Sequence, residues 1–176
     1  MVVTLRELFP KDAEELLRLQ HQLDQETSFM LLEPDERQTG LQQTKVMLES
    51  FTNADRSIFI GAEADGQLVG FLSVRGGSVK RNQHCGYIVI GILKQYQGMG
   101  IGTSLFQKLD TWAVDRGIVR LELTVMTHNQ RALALYTKSG FELEGTKRKS
   151  LYIDEEWVDE YCMGKIVPSL TKGVSP

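Results

Sequence analysis

Lys94 to Leu105 reads KQYQGMGIGTSL, with Gly98, Gly100 and Gly102 at alternate positions where one apolar run ends and another begins. Upstream, CGYIVIGIL (residues 85–93) has the pattern of a strand. Downstream, Ile101, Leu105, Leu109 and Trp112 recur at helical spacing as far as Gly117, a natural closing residue for a helix. The glycines thus sit at a strand-to-helix junction. Glycine weakens a helix by roughly 1 kcal/mol relative to alanine, so three of them there need a reason beyond helix formation. The first amides of a helix have no internal partners, and with the positive end of the helix dipole they form a site for an anion. Side chains missing at alternate positions let the anion touch the backbone. The stretch predicts a phosphate cradle; tight helix–sheet packing is the structural alternative.

Upstream of that strand, SIFIGAEADGQLVGFLSVRGG (residues 57–77) places two apolar runs around Asp65-Gly66, a dipeptide suited to a type I′ hairpin turn. VRLELTV (119–125) alternates like a strand, and Asn129–Ser139 reads as a helix closed by Gly140. FELEGTKRK and EWVDEYCMGKI read as two final strands around a turn at Asp154-Glu155. At the other end, Val2, Val3 and Leu5 suggest a first strand. PKDAEELLRLQHQL follows as a helix with Pro10 and an Asp12-x-x-Glu15 capping box, and its face is Ala13, Leu16, Leu17, Gln20 and Leu23. A second helix is expected over residues 37–51, with Leu41, Thr44, Leu48 and Phe51 inward. The irregular stretch between these helices, QETSFMLLEPDERQ, is acidic. This order predicts an α/β (α+β) domain over residues 1–167 on a single mixed sheet, with a mobile tail at 168–176.

The 176 residues are 41% hydrophobic and 24% charged, with a net charge of −3, as expected of one globular domain. Nucleic acid is not an expected partner, because binding it needs concentrated positive charge. Two cysteines, Cys85 and Cys162, make neither a disulfide framework nor a metal-ligand cluster, and no metal is expected. They fit a reduced, cytoplasmic compartment. The start, MVVTLRELFPKDAEE, lacks the basic and apolar run of a signal peptide, and no apolar stretch approaches the ~20 residues of a membrane span.

The phosphate can be narrowed. A P-loop ends in Gly-Lys-[Ser/Thr], but Gly102 is followed by Thr103 and Ser104. A dinucleotide fingerprint needs a third glycine where Thr103 stands, and Glu122, though suitably far downstream, lies within an alternating strand. Ile92-x-x-x-x-Gln97-x-x-Gly100-x-Gly102 instead resembles motif A of the GNAT superfamily of acetyl-CoA-dependent N-acetyltransferases. Asn129-x-x-Ala132-x-x-Leu135-Tyr136-x-x-x-Gly140-Phe141 resembles the motif B region of the same family.

That resemblance implies a mostly antiparallel sheet, splayed in the middle and flanked by helices (the acyl-CoA N-acyltransferase fold), with acetyl-CoA as cosubstrate. By resemblance the pyrophosphate falls to the backbone of Gln97, Gly98, Met99, Gly100, Ile101, Gly102 and Thr103, and the pantetheine arm to backbone groups from Ile90 to Lys94. An amide near Ile92 or Leu93 then polarises the thioester carbonyl. Asn129 becomes a cofactor ligand and Tyr136 the acid that protonates the departing thiolate. The acceptor implied is a primary amine (a small amine, a polyamine or a protein N-terminus), and a homodimer is a family-level expectation. Many relatives carry a Glu on the strand before the loop, where this chain offers Tyr87 and no carboxylate. Candidates for the base are therefore Glu26, Glu33, Glu36, His84 and His128, and Glu33 and Glu36 are expected to draw a cationic amine. A non-catalytic acyl-CoA-binding module on the same fold is the alternative from another class, and a nucleotide-binding protein a third.

Overall fold

The strand before the glycines and the strand after the following helix lie side by side and parallel, as a helical crossover requires. In the computed structural model, which describes residues 2–168, this is the single parallel step among the described strands. The expected mobile tail lies outside the described residues apart from Pro168. The elements are β1 (Val3–Glu7), α1 (Ala13–Glu26), α2 (Leu41–Thr52), β2 (Ile58–Ala64), β3 (Gln67–Gly76), β4 (Cys85–Ile92), α3 (Ile101–Asp115), β5 (Arg120–Met126), α4 (Gln130–Lys138), β6 (Glu142–Ile153) and β7 (Glu156–Ile166). The strands form one seven-stranded sheet in the order β1-β2-β3-β4-β5-β7-β6. No helix among the described residues is long and apolar enough to cross a membrane.

Both predicted hairpin turns are present. Asp65 and Gly66 take φ of 50° and 78°, and Asp154 and Glu155 take 49° and 64°, the doubly left-handed pair that suits a two-residue hairpin. Asp12 behaves differently from the capping box expected of it. Its carboxylate accepts from the Phe9 amide at 2.8 Å and pairs with Arg6 at 3.1 Å, so it turns back toward β1. The second helix starts at Leu41 rather than 37, with Gly40 as its N-cap.

Opposed residues on neighbouring strands share a face, which sorts the packing. On one face lie α1 and α2: Phe51 of α2 meets Phe59 at 5.2 Å, Phe59 meets Phe71 at 5.2 Å, and a Cβ at Gly91 would strike Leu23 of α1 at 2.8 Å. On the other face lie α3 and α4, where Phe106 of α3 packs edge-on against Tyr136 at 5.8 Å and Phe141 at 5.5 Å. Each buried ring of this kind contributes about 1.5–3 kcal/mol by leaving water. The parallel step is short: Cys85, Gly86 and Tyr87 pair with Arg120, Leu121 and Glu122, and beyond them β4 and β5 separate. The sheet is splayed there, and the cleft opens at that point.

Candidate active site

Two of the three glycines bend the chain and the third makes room. Gly98 and Gly100 have φ of 79° and 83°, in the left-handed region where a side chain is strained, and Gly100 is the N-cap of α3. A Cβ on Gly102 would instead come within 2.7 Å of a Leu135 methyl, so that position brings α3 against α4. The amides of Ile101, Gly102 and Thr103 occupy the first helical turn, where no intrahelical acceptor exists. Gln97, Gly98, Gly100, Ile101, Gly102 and Thr103 all line a cleft of about 1200 Å³ that runs from this loop into the splay. Met99 is 56% exposed and does not line it.

The backbone of β4 follows from its register. Leu93 donates to Val69 O at 2.9 Å and Gly77 donates to Cys85 O at 3.0 Å, so the odd-numbered residues of β4 direct their hydrogen bonds toward β3. Alternation turns the backbone groups of Ile90 and Ile92 toward the gap. This corrects part of the expectation, since the Leu93 amide is spent within the sheet and its side chain is buried. Other groups along the edge are also engaged. The Ile92 carbonyl accepts from Gln97 Nε2 at 2.9 Å, and Gln97 Oε1 accepts from Arg131 Nη1 at 2.6 Å. The Lys94 amide donates to Glu26 Oε2 at 2.9 Å, while Glu26 Oε1 accepts from Gln22 at 2.7 Å. Among the described residues, the amide and carbonyl of Ile90 and the amide of Ile92 lie past the last pairing with β5 and stay open.

Across the gap, Asn129 caps α4, its Oδ1 accepting from the Ala132 amide at 3.2 Å, and it lines the cleft as well. Tyr136, two helical turns further on, is 7% exposed and lines the same cleft. Burial pushes its phenol pKa well above the ordinary value, and the neighbouring Tyr87 adds to the effect. Its proton is firmly held. Tyr87 reaches across the splay, its hydroxyl 3.0 Å from Thr124 Oγ1, just beyond the last paired residues.

The acidic segment between α1 and α2 divides in two. Thr27 to Leu32 line the cleft, and Phe29 packs at a tilt against His128, their ring centroids 5.2 Å apart. Glu33 and Glu36 do not line it: both are exposed, and Glu36 Oε2 accepts from the Glu33 amide at 2.9 Å. Of the candidate bases, Glu26 alone lines the cleft, with both oxygens engaged as above. Arg37 anchors the segment's far end on the buried Asp24 of α1, with contacts of 2.5 and 3.0 Å. Four further charged residues at the cleft lay outside the sequence reading: Arg131, Lys138, Lys147 and Glu160. Arg131 had a readable signal, because a cation in the first turn of a helix opposes the dipole. Lys147 and Glu160 had none, because they meet only through strand pairing.

Residues 12–141 match the family described as acetyltransferase (GNAT) family. An L-amino acid N-acetyltransferase of Escherichia coli (strain K12) is 31% identical over 106 residues, 58% of this chain; the match spans 64% of that relative's own length. The crystal structure of a GNAT-family acetyltransferase from Streptococcus pneumoniae superposes with a TM-score of 0.91 at 34% identity, covering 95% of this chain and 100% of that one. A structure from Salmonella typhimurium, solved with its cofactor acetyl-CoA, shares the fold at a TM-score of 0.84 and 15% identity, covering 100% and 98%.

Proposed function

The chain belongs to the acetyltransferase (GNAT) family, and on that premise we propose that it transfers an acetyl group from acetyl-CoA directly to an amine. The observation that carries this reading is the open edge of β4 ending at the left-handed glycine loop. It offers strand-like hydrogen bonds to an extended amide-bearing arm and helix N-terminal amides to a diphosphate, which together fit the shape and chemistry of acetyl-CoA. When bound, acetyl-CoA supplies a thioester whose carbonyl carbon the amine nitrogen attacks as the C–S bond breaks and the thiol leaves. The Ile92 amide, facing the gap, is the donor for the carbonyl oxygen as charge develops there. Gln97 braces that residue from its carbonyl side. Tyr136 holds its proton through the neutral range and gives it to the departing sulfur. The proton lost by the amine passes to water in the open cleft. The likeness to an L-amino acid N-acetyltransferase of Escherichia coli supports an amine as acceptor.

The test is thiol release from acetyl-CoA with a panel of amino acids, monoamines, polyamines and peptides, with the acetylated product identified by mass spectrometry. Stoichiometric thiol and N-acetyl product are expected. Tight acetyl-CoA binding with no transfer to any amine would replace this reading with a non-catalytic acyl-CoA-binding module.

A further inference from the structure

Strand pairing carries one side of the sheet into the acceptor half of the cleft. Tyr87 opposes Glu122, and the same face continues through Thr124 and Met126 of β5. Met126 opposes Glu160 on β7, which opposes Lys147 on β6. All six residues therefore share the face covered by α1, α2 and the segment between them. Met47, Phe51, Phe59 and Phe71 give this half of the cleft an apolar wall. Of the charged groups that line the cleft, Arg37 is paired with Asp24, Glu26 is bound to Lys94 N and Gln22, Arg131 is bound to Gln97, and Lys94 and Lys138 stand before the glycine loop and at the end of α4 rather than on this sheet face. Lys147 and Glu160 are left. A cross-strand lysine and glutamate ordinarily close on one another, yet among the described residues neither side chain has an ion-pair or hydrogen-bond partner, while both line the cleft. The hairpin is irregular just there. Past the Lys147–Glu160 pair the register slips until Leu151 meets Val158, Lys149 takes a left-handed φ of 51°, and its amide is held by Asp159 Oδ1 at 2.7 Å. Bulges and non-glycine left-handed residues cost stability and concentrate where side chains must be aimed. The family match ends at residue 141, before this hairpin, so the pair lies in the part of the chain that the shared motifs do not cover.

We infer that Lys147 and Glu160 form the acceptor-recognition pair, and that the acceptor is a zwitterionic, amino-acid-like amine with an apolar side chain. This rests on the acetyl-transfer reading above and deepens it. Glu160 accepts hydrogen bonds from the ammonium group, Lys147 binds the carboxylate one carbon away, and the phenylalanine-lined wall takes the side chain. Lys147 also selects by repulsion, because a polyamine would bring a second cation against it.

The test compares kcat/KM, by thiol release, for amines that differ only in the carboxylate: phenylalanine against phenethylamine, leucine against isopentylamine, and alanine against ethylamine, with spermidine alongside. Wild type, Lys147→Met and Glu160→Gln are each assayed, with Tm and the KM for acetyl-CoA confirming an intact fold and cofactor site. At least one apolar amino acid is expected to exceed its decarboxylated partner by about ten- to hundredfold, the usual worth of a hydrogen-bonded charge contact. Lys147→Met should erase that ratio by slowing the amino acid and leaving the plain amine unchanged. Glu160→Gln should slow both. Equal rates for amino acid and plain amine, a ratio that survives Lys147→Met, or a preference for spermidine would each overturn the inference and leave acetyl transfer standing. No turnover of any amine would overturn both.

Discussion

Tyr136 combines two properties that rarely coincide, a side chain packed among aromatic rings and a hydroxyl at the edge of a reaction cleft. Phenylalanine at this position keeps the edge-on contact with Phe106 and the tilted one with Phe141 and removes only the proton donor. General acids of this kind contribute ~10²–10⁴ in rate. A thiol with a pKa near 8.5 is already a tolerable leaving group, so Tyr136→Phe should lower kcat by about 10² with little change in acetyl-CoA affinity. Burial raises the phenol pKa, and the sign of the pH dependence follows. The activity of the wild type should climb with pH as the amine loses its proton, without turning down at the ordinary tyrosine value near 10. Folding stability has the matching linkage: the contribution of the neutral buried phenol is complete below about pH 10 and is lost as pH rises from there toward the folded pKa. A mutant that keeps wild-type kcat across the profile would leave Tyr136 a packing residue.

The element that shapes the acceptor half is the segment joining α1 to α2, which is fastened by an ion pair as well as by Met30 against the core. Asp24 has a side chain with 0% exposure and Arg37 one with 11%. Desolvating both charges makes the pair a poor source of net stability, but removing one partner strands the other. Arg37→Met should therefore cost roughly 3 kcal/mol in urea unfolding. Changing Asp24 to Asn in the same chain should recover part of that loss. Because Thr27 to Leu32 line the acceptor half and the glycine loop lies elsewhere, the KM for the amine should rise while that for acetyl-CoA holds. A single mutant with wild-type stability would mean that the segment is held by its other contacts, such as Phe29 on His128.

Over the whole molecule, the elements readable in advance were those with local chemistry: two turns with left-handed residue pairs, a glycine-rich crossover, and helices closed by Gly117 and Gly140. Sheet order was less readable, because the insertion of β7 between β5 and β6 depends on pairing Arg120–Met126 with Glu160–Ile166, and no short segment records that. The site divides in the same way. The glycines, Asn129 and Tyr136 belong to contiguous motifs, whereas the distinction between the Ile92 and Leu93 amides is a matter of register, to which residue type is indifferent. Glu33 and Glu36 were conspicuous by charge, yet their backbone turn keeps them at the surface. Acetyl-CoA binding of the proposed kind depends on β4 having an open edge that the cosubstrate completes. Amide hydrogen exchange with and without acetyl-CoA measures this directly, residue by residue. The expected result is new protection at Ile90, Ile92 and Ile101 to Thr103, with Leu93 already slow and unchanged. Saturating acetyl-CoA that leaves the Ile90 and Ile92 amides exchanging as before would contradict it.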